Sequence, residues 1–262
     1  MTDATPRYAL AQAEGTSELE RLRMLEAIHD PATLRRLDEI GLVPGARCLE
    51  VGAGGGSVTR AMAERVGPSG CVIAADMDPR FLEDFDVPCV EVLRHDITTG
   101  PVQPGGFDLV HCRAVLTHIE DLTSAIDHML ASLRPGGTIF IEEPDYGAME
   151  PCDDDHPDTE VFLQYRDQFR SGQTMDGFAG RNVFKAIQAE GCTDLRSEGI
   201  SGVVHGGQMP ALYRKKTMQN VRERAIQGGY TPEAFDRLIA LFDDPTFRYL
   251  DSMWVGVIAR RP

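Results

Sequence analysis

Between Cys48 and Thr59 the chain reads Cys-Leu-Glu-Val-Gly-Ala-Gly-Gly-Gly-Ser-Val-Thr, an apolar run joined to a helical pattern through Gly52, Gly54 and Gly56. No other stretch constrains the fold as much. Glycine allows the left-handed backbone of a tight strand-to-helix turn, and the missing Cβ lets the chain approach a ligand closely. A helix beginning near Ser57 also starts with N–H groups that have no partner inside the helix. The expected ligand is therefore nucleotide-like. A dinucleotide turn, G-x-G-x-x-G, needs glycine at 57, where this chain has Ser57. The glycines run G-x-G-x-G behind the acidic Glu50.

Strand-like and helical patterns alternate from there. Strands are expected at Ala46–Val51, Cys71–Ala75, Cys89–Arg94, Phe107–Cys112 and Thr138–Glu142, with helices at Ser57–Val66, near Pro79–Phe85, and at Leu122–Leu133. Pro44-Gly45, Pro68-Ser-Gly70, Pro104-Gly-Gly106 and Pro135-Gly-Gly137 each precede an apolar run as turns. Such alternation implies parallel βαβ units and an open, doubly wound α/β sheet. Ahead of it, Leu19, Leu22, Leu25 and Ile28 share one face of a helix over Ser17–Ile40, which Asp30-Pro31 should break and Gly41 end. After Pro144, helices are expected at Thr159–Arg170, Arg181–Glu190, Ala211–Ile226 and Thr231–Phe242, and strands within Thr193–Ile200 and Met253–Ala259. The 262 residues read as a single domain, with a helical cap over 1–40, a ligand-binding core over 41–144, an insertion over 145–230 that includes a sixth strand, and a closing helix and strand over 231–262.

Lys and Arg total 26 against 41 Asp and Glu, a formal charge of −15. Phosphate backbones need a basic face, so nucleic acid is not an expected partner. The densest basic run, Arg214-Lys-Lys216, is expected to be a solvated helix face. The six cysteines are scattered singly, without metal-ligand spacing, so neither a zinc site nor a disulfide framework is expected. Cys48, Cys71 and Cys112 fall in apolar runs as core residues. With no signal pattern at Met1–Arg7 and no apolar run of spanning length, a soluble cytoplasmic protein with no membrane partner is expected.

Asp76 ends the second expected strand, twenty residues after Gly56, in Ala75-Asp76-Met77-Asp78-Pro79. Ligands of open α/β sheets lie beyond the carboxyl ends of the strands, where a carboxylate can accept both hydroxyls of a ribose. Asp78, before Pro79, is the better helix cap. Arg94-His95-Asp96-Ile97 ends the third strand, followed by Phe107-Asp-Leu-Val-His-Cys-Arg-Ala-Val-Leu-Thr-His-Ile119 and Leu133-Arg-Pro-Gly-Gly-Thr-Ile-Phe-Ile-Glu-Glu-Pro144. Together with the glycine turn, these motifs resemble the class I S-adenosylmethionine (SAM) methyltransferases, in particular the UbiE-like small-molecule enzymes of bacterial natural-product pathways. Tyr8 and Glu18-x-x-Arg21-Leu22 resemble that group's cap.

The resemblance implies a Rossmann-like, seven-stranded, mostly parallel sheet with helices on both faces, a helical lid and an antiparallel last strand. It implies SAM as methyl donor and S-adenosylhomocysteine as product, with Glu50, Gly52, Gly54, Asp76, Met77, Asp96, Ile97 and Arg113 around the cofactor. In that group the residue at Asp96 accepts the adenine amino group and the next apolar residue lies against the ring; Arg113 can pair with the methionine carboxylate or with an acidic acceptor. Enzymes that methylate amino groups of bases or glutamine often carry Asn/Asp-Pro-Pro-Tyr after the fourth strand. This chain has Arg113-Ala-Val-Leu116 there, which disfavours that geometry.

Methyl transfer is a displacement that needs alignment and exclusion of water. If the acceptor is a hydroxyl, a histidine suits as base at neutral pH. His111, His118 and Tyr8 are the catalytic candidates, with the tyrosine ring able to face a sulfonium. His156 and His205 are further options, and Glu142, Asp145 and Tyr146 can face the acceptor. Whether oxygen, nitrogen or carbon of a small-molecule acceptor is methylated stays open, as does a homodimer. The rival classes are an NAD-dependent oxidoreductase, against which Ser57 argues, and a non-catalytic SAM-binding module.

Overall fold

The computed structural model describes residues 15–153, 155–172 and 175–262. In chain order the elements are α1 (Gly15–Ile40), β1 (Arg47–Val51), α2 (Ser57–Val66), β2 (Cys71–Asp76), β3 (Val90–Arg94), β4 (Phe107–Arg113), α3 (Leu122–Ser132), β5 (Leu133–Asp145), β6 (Glu150–Pro151), α4 (Thr159–Arg170), α5 (Ala179–Ala189), β7 (Thr193–Ile200), β8 (Val203–His205), α6 (Met209–Asn220), α7 (Arg222–Gln227), α8 (Pro232–Leu241), β9 (Arg248–Leu250) and β10 (Met253–Arg260). They fall into two compact units.

The larger unit comprises His29–Asp145, Phe178–Ile200 and Trp254–Pro262. Its sheet has the order β3-β2-β1-β4-β5-β10-β7, in which β1 is parallel to β2 and β4, β2 to β3, and β4 to β5, while β10 is antiparallel to β7. Side chains of a strand alternate between faces, and here both faces are covered. Leu49, Val51, Val110, Cys112, Ile139 and Ile141 pack with Ile126 and Met129 of α3 and Val183 and Ile187 of α5. Cys48, Val72, Leu109 and Phe140 pack on the other face with Val58 and Met62 of α2 and Leu37 of α1. The seven-stranded α/β sheet with helices on both faces is the expected one.

Local chemistry explains the helix ends. Gly56 takes a left-handed φ of 84° before α2, and Gly67, at φ 66°, ends it with its N–H on the Ala63 carbonyl. Asp121 accepts the Ser124 N–H at 3.0 Å at the start of α3. The expected break at Asp30-Pro31 is absent: α1 runs on through Pro31. A proline inside a helix removes one N–H and costs about 3 kcal/mol. The turn after it is held from outside, since Thr33 donates to Glu142 at 2.5 Å and Arg36 pairs with Glu142 and Glu198.

The other unit comprises Met1–Ile28, Tyr146–Gly177 and Ser201–Met253. Among its described residues β6, β9 and β8 form a small antiparallel sheet, whose strands were not among those expected. These strands are two or three residues long, too short for alternation to register. The long helix expected over Ala211–Ile226 is divided at Val221 into α6 and α7. Aromatic side chains from α4, α8 and β9 fill the core, with Phe162, Tyr165, Phe235, Phe242, Phe247 and Tyr249 all buried.

Arg214 corrects the expected solvated basic face, since it lies buried in that core. It donates to Asp251 at 2.5 and 3.0 Å, to Ser252 Oγ at 2.7 Å, and to the Tyr146 and Tyr165 hydroxyls at 3.3 Å each. Lys215 and Lys216 instead reach Asp243 and Glu20 on the surface. No helix among the described residues is long and apolar enough to cross a membrane. Arg214→Met should lower the unfolding free energy by about 3–5 kcal/mol, because it strands the Asp251 carboxylate. Adding Asp251→Leu should recover much of that loss. Urea denaturation of both variants measures this, and equal midpoints for the single and double variants would remove the ion pair from the account.

Candidate active site

Gly52, Gly54 and Gly56 all have positive φ, at 72°, 53° and 84°. The turn they make is tied to the end of β2: Gly52 N–H donates to Ala75 O at 2.8 Å, and Gly54 N–H donates to Asp76 Oδ2 at 3.0 Å. Asp78 N–H donates to Asp76 Oδ1 at 2.9 Å, so each oxygen of Asp76 holds one backbone donor. Burial raises the Asp76 pKa above its ordinary value, with those two bonds acting in the opposite sense. Asp78 stands at the cap position of the 3₁₀ turn Pro79–Phe81, without a capping bond from its side chain. Two of the glycines serve the protein's own packing. A Cβ on Gly52 would lie 2.1 Å from Val115 Cγ2, and one on Gly56 would lie 2.5 Å from the Phe85 ring.

Met77 follows Asp76 and is 47% exposed. At the end of β3, Asp96 Oδ1 accepts the Thr98 N–H at 2.9 Å and hydroxyl at 2.7 Å, capping the 3₁₀ turn Ile97–Thr99. Ile97 follows Asp96 and is buried. Its side chain, expected against an adenine ring, is buried in the core that includes Ala125, Ile126 and Met129 of α3.

On the α1 and α2 face, the sheet changes from apolar to charged as the strands approach their carboxyl ends. Cys48, Leu109 and Phe140 are followed two residues on by Glu50, His111 and Glu142, all buried. Register places Glu50 beside His111 and His111 beside Phe140. His111 Nδ1 lies 3.6 Å from Glu50 and Nε2 lies 3.5 Å from Glu142. Thr59 of α2 donates to Glu50, while Thr33 and Arg36 of α1 bind Glu142. Burial opposes a charged imidazole, but the hydrogen bond to Glu142 and the nearby Glu50 carboxylate outweigh it and raise the His111 pKa above its ordinary value. Burial likewise disfavours ionised Glu142, yet His111, Arg113 and Thr33 bring its pKa down to about 2.

His111, expected as a base, has no exposed surface with which to reach an acceptor, and lies instead between two buried carboxylates. Glu142 is corrected for the same reason, and so are Asp145, buried against Arg181 at 2.5 and 2.7 Å, and Tyr146, stacked on Phe169. Arg113 ends β4 beside the turn. It donates to Asp30 at 2.9 Å, to Thr33 Oγ1 at 2.9 Å and to Ser57 Oγ at 3.4 Å. His118 ends a 3₁₀ turn, Leu116–His118, and is half-buried. His156 lies 3.4 Å from Asp244, and His205 ends β8. Tyr8 lies outside the described residues.

Asp30, Thr33, Arg36, Ser57 and Thr59 were not among the expected site residues, although all five bind charged groups at the strand ends. Thr33 and Arg36 stand three apart, one turn of α1, which was the available signal.

Residues 21–196 match the model of the methyltransferase domain family. An uncharacterized 37.1 kDa protein in transposon TN4556 of Streptomyces fradiae is 29% identical over 86% of this chain and 65% of that protein. A ubiquinone biosynthesis O-methyltransferase of Xanthomonas campestris pv. campestris is 36% identical over 40% of this chain and 47% of the relative. The chain thus spans less than two thirds of the length of either. Among solved structures, phosphoethanolamine N-methyltransferase 2 of Haemonchus contortus, in complex with phosphomonomethylethanolamine and S-adenosylhomocysteine, superposes with a TM-score of 0.55 at 16% identity. The superposition covers 93% of this chain and 52% of that one, and it speaks for the fold.

The charged row makes stability depend on pH in two senses. Glu142, depressed from 4.5 to about 2, stabilises the fold above its unfolded value, and this is lost as pH falls from 4.5 towards 2. His111, raised above 6.5, contributes fully below 6.5 and loses that contribution as pH rises through its folded-state pKa. The stability difference between wild type and His111→Asn should be largest between those windows and shrink on the alkaline side. Urea midpoints across the pH range check it, and a flat difference would mean a neutral imidazole in the folded state.

Proposed function

Since the chain belongs to the methyltransferase domain family, we propose that the protein transfers the methyl group of SAM to an oxygen, nitrogen or nucleophilic carbon of a small natural-product-type acceptor. S-adenosylhomocysteine is the other product. The observation that carries this reading is the Asp76 carboxylate, fixed by Gly54 and Asp78 with one N–H on each oxygen. An ionised carboxylate has about four lone-pair sites, so each oxygen can still accept a ribose hydroxyl.

The residues present fit SAM. Asp76 would hold the ribose, Asp96 the adenine amino group, and Gly54 and Met77 would flank the adenosine. Arg113, steadied by Asp30 and next to Ser57, would hold the methionine carboxylate. Ile97 would contribute backbone at this end, and Glu50 would act from beneath through Thr59. When bound, SAM supplies an electrophilic methyl on a sulfonium. The protein's part is to orient that methyl and exclude water, and orientation can supply most of the acceleration. With His111 buried, His118 and Tyr8 remain the candidates for taking a proton from a hydroxyl acceptor. A formal charge of −15 and a small-molecule O-methyltransferase among the relatives support a small acceptor over nucleic acid.

Calorimetric titration of SAM into wild type and Asp76→Ala tests the assignment. The variant should bind about tenfold more weakly or worse, as expected for lost hydrogen bonds to a charged group. Unchanged affinity would remove Asp76 from the site. SAM, and not NADH, should raise the melting temperature; the reverse would favour the oxidoreductase reading.

A further inference from the structure

Glu143 follows Glu142 on β5, so strand alternation sends its side chain to the opposite face of the sheet. The carboxylate is fully buried. Oε1 accepts the N–H groups of Val115 at 2.9 Å and Leu116 at 2.7 Å, and Oε2 accepts that of Thr117 at 3.2 Å. Three successive backbone donors from the segment after β4 thus converge on one anion. The segment begins at Ala114, whose φ of 58° is left-handed, a conformation that residues with a Cβ adopt at a cost. Ala114 N–H is held by the Glu142 carbonyl at 2.9 Å. Beyond it, Val115 fills the space that a Cβ on Gly52 would need.

The order of contacts is therefore continuous, from the Glu143 carboxylate to the arch over residues 114–117, and from Val115 to the glycine turn. We propose that Glu143 is a positioning residue for the turn, holding the arch so that Val115 sets where Gly52 and Gly54 stand. This rests on the assignment of that turn to SAM. A buried carboxylate whose partners were needed only for stability would change folding when altered. One that positions the turn also changes cofactor affinity in the folded protein.

The test is binding of S-adenosylhomocysteine, followed by calorimetry well below each variant's melting temperature. Glu143→Gln keeps the size but turns one acceptor oxygen into a donor facing backbone N–H. Val115→Ala removes the methyl groups that meet Gly52. Each should weaken binding about tenfold, Glu143→Asp should restore part of the loss, and the double variant should bind little worse than either single one, because the two act through one contact. Asp121→Ala, which removes the cap of α3, should lower the melting temperature and leave affinity unchanged. Affinity within about twofold of wild type in Glu143→Gln, or fully additive losses, would overturn the proposal. If Glu143→Gln does not fold, Val115→Ala decides it on the same scale. A wild type that takes up no S-adenosylhomocysteine overturns the SAM assignment, and the positioning role with it. Binding by wild type and Glu143→Gln alike overturns the positioning role alone.

Discussion

A carboxylate taken out of water must be met by cations or N–H donors, or it will not stay ionised. The carboxyl end of β5 meets that demand twice in adjacent residues. Glu142 points to the α1 and α2 face and is satisfied by side chains, Thr33, Arg36 and His111. Glu143 points to the other face and accepts the backbone of the segment after β4. One anion thereby pins the second half of α1 to the sheet, and its neighbour shapes the loop beside the glycine turn. Much of the geometry at the strand ends follows from these two desolvated charges.

The same demand explains the continuity of α1 through Pro31. The proline weakens the helix locally, while Thr33 and Arg36, two and five residues on, are held by buried Glu142. Tertiary bonds outweigh the local preference, as they commonly do where a helix packs on a core. Arg214 in the other unit shows the complementary case, a buried cation around which Asp251, Ser252 and two tyrosine hydroxyls gather.

Periodicity made much of the fold readable in advance. Ser57–Val66, Thr159–Arg170 and Thr193–Ile200 are bounded as the pattern of apolar residues and glycines suggested. Strands of two or three residues, such as β6 and β9, leave no such pattern. Asp76, Asp96 and the glycines could be located because strand ends are marked by motif and spacing. The fate of His111 could not. A histidine in Leu-Val-His-Cys-Arg looks the same whether it faces a ligand or two carboxylates, and Glu50 and Glu142 lie 61 and 31 residues from it in the chain. Arg214-Lys-Lys216 was opaque in the same way, since a run of like charges does not reveal that one member turns inward.

With the N–H groups of Val115, Leu116 and Thr117 committed to Glu143, this loop has no spare backbone donors with which to stabilise a developing oxyanion. That would handicap an acyl-transfer enzyme. Displacement at a sulfonium generates no new anion on the substrate's carbon centre; it disperses a positive charge as the methyl moves. A loop that spends its donors on an internal carboxylate loses little for such a reaction.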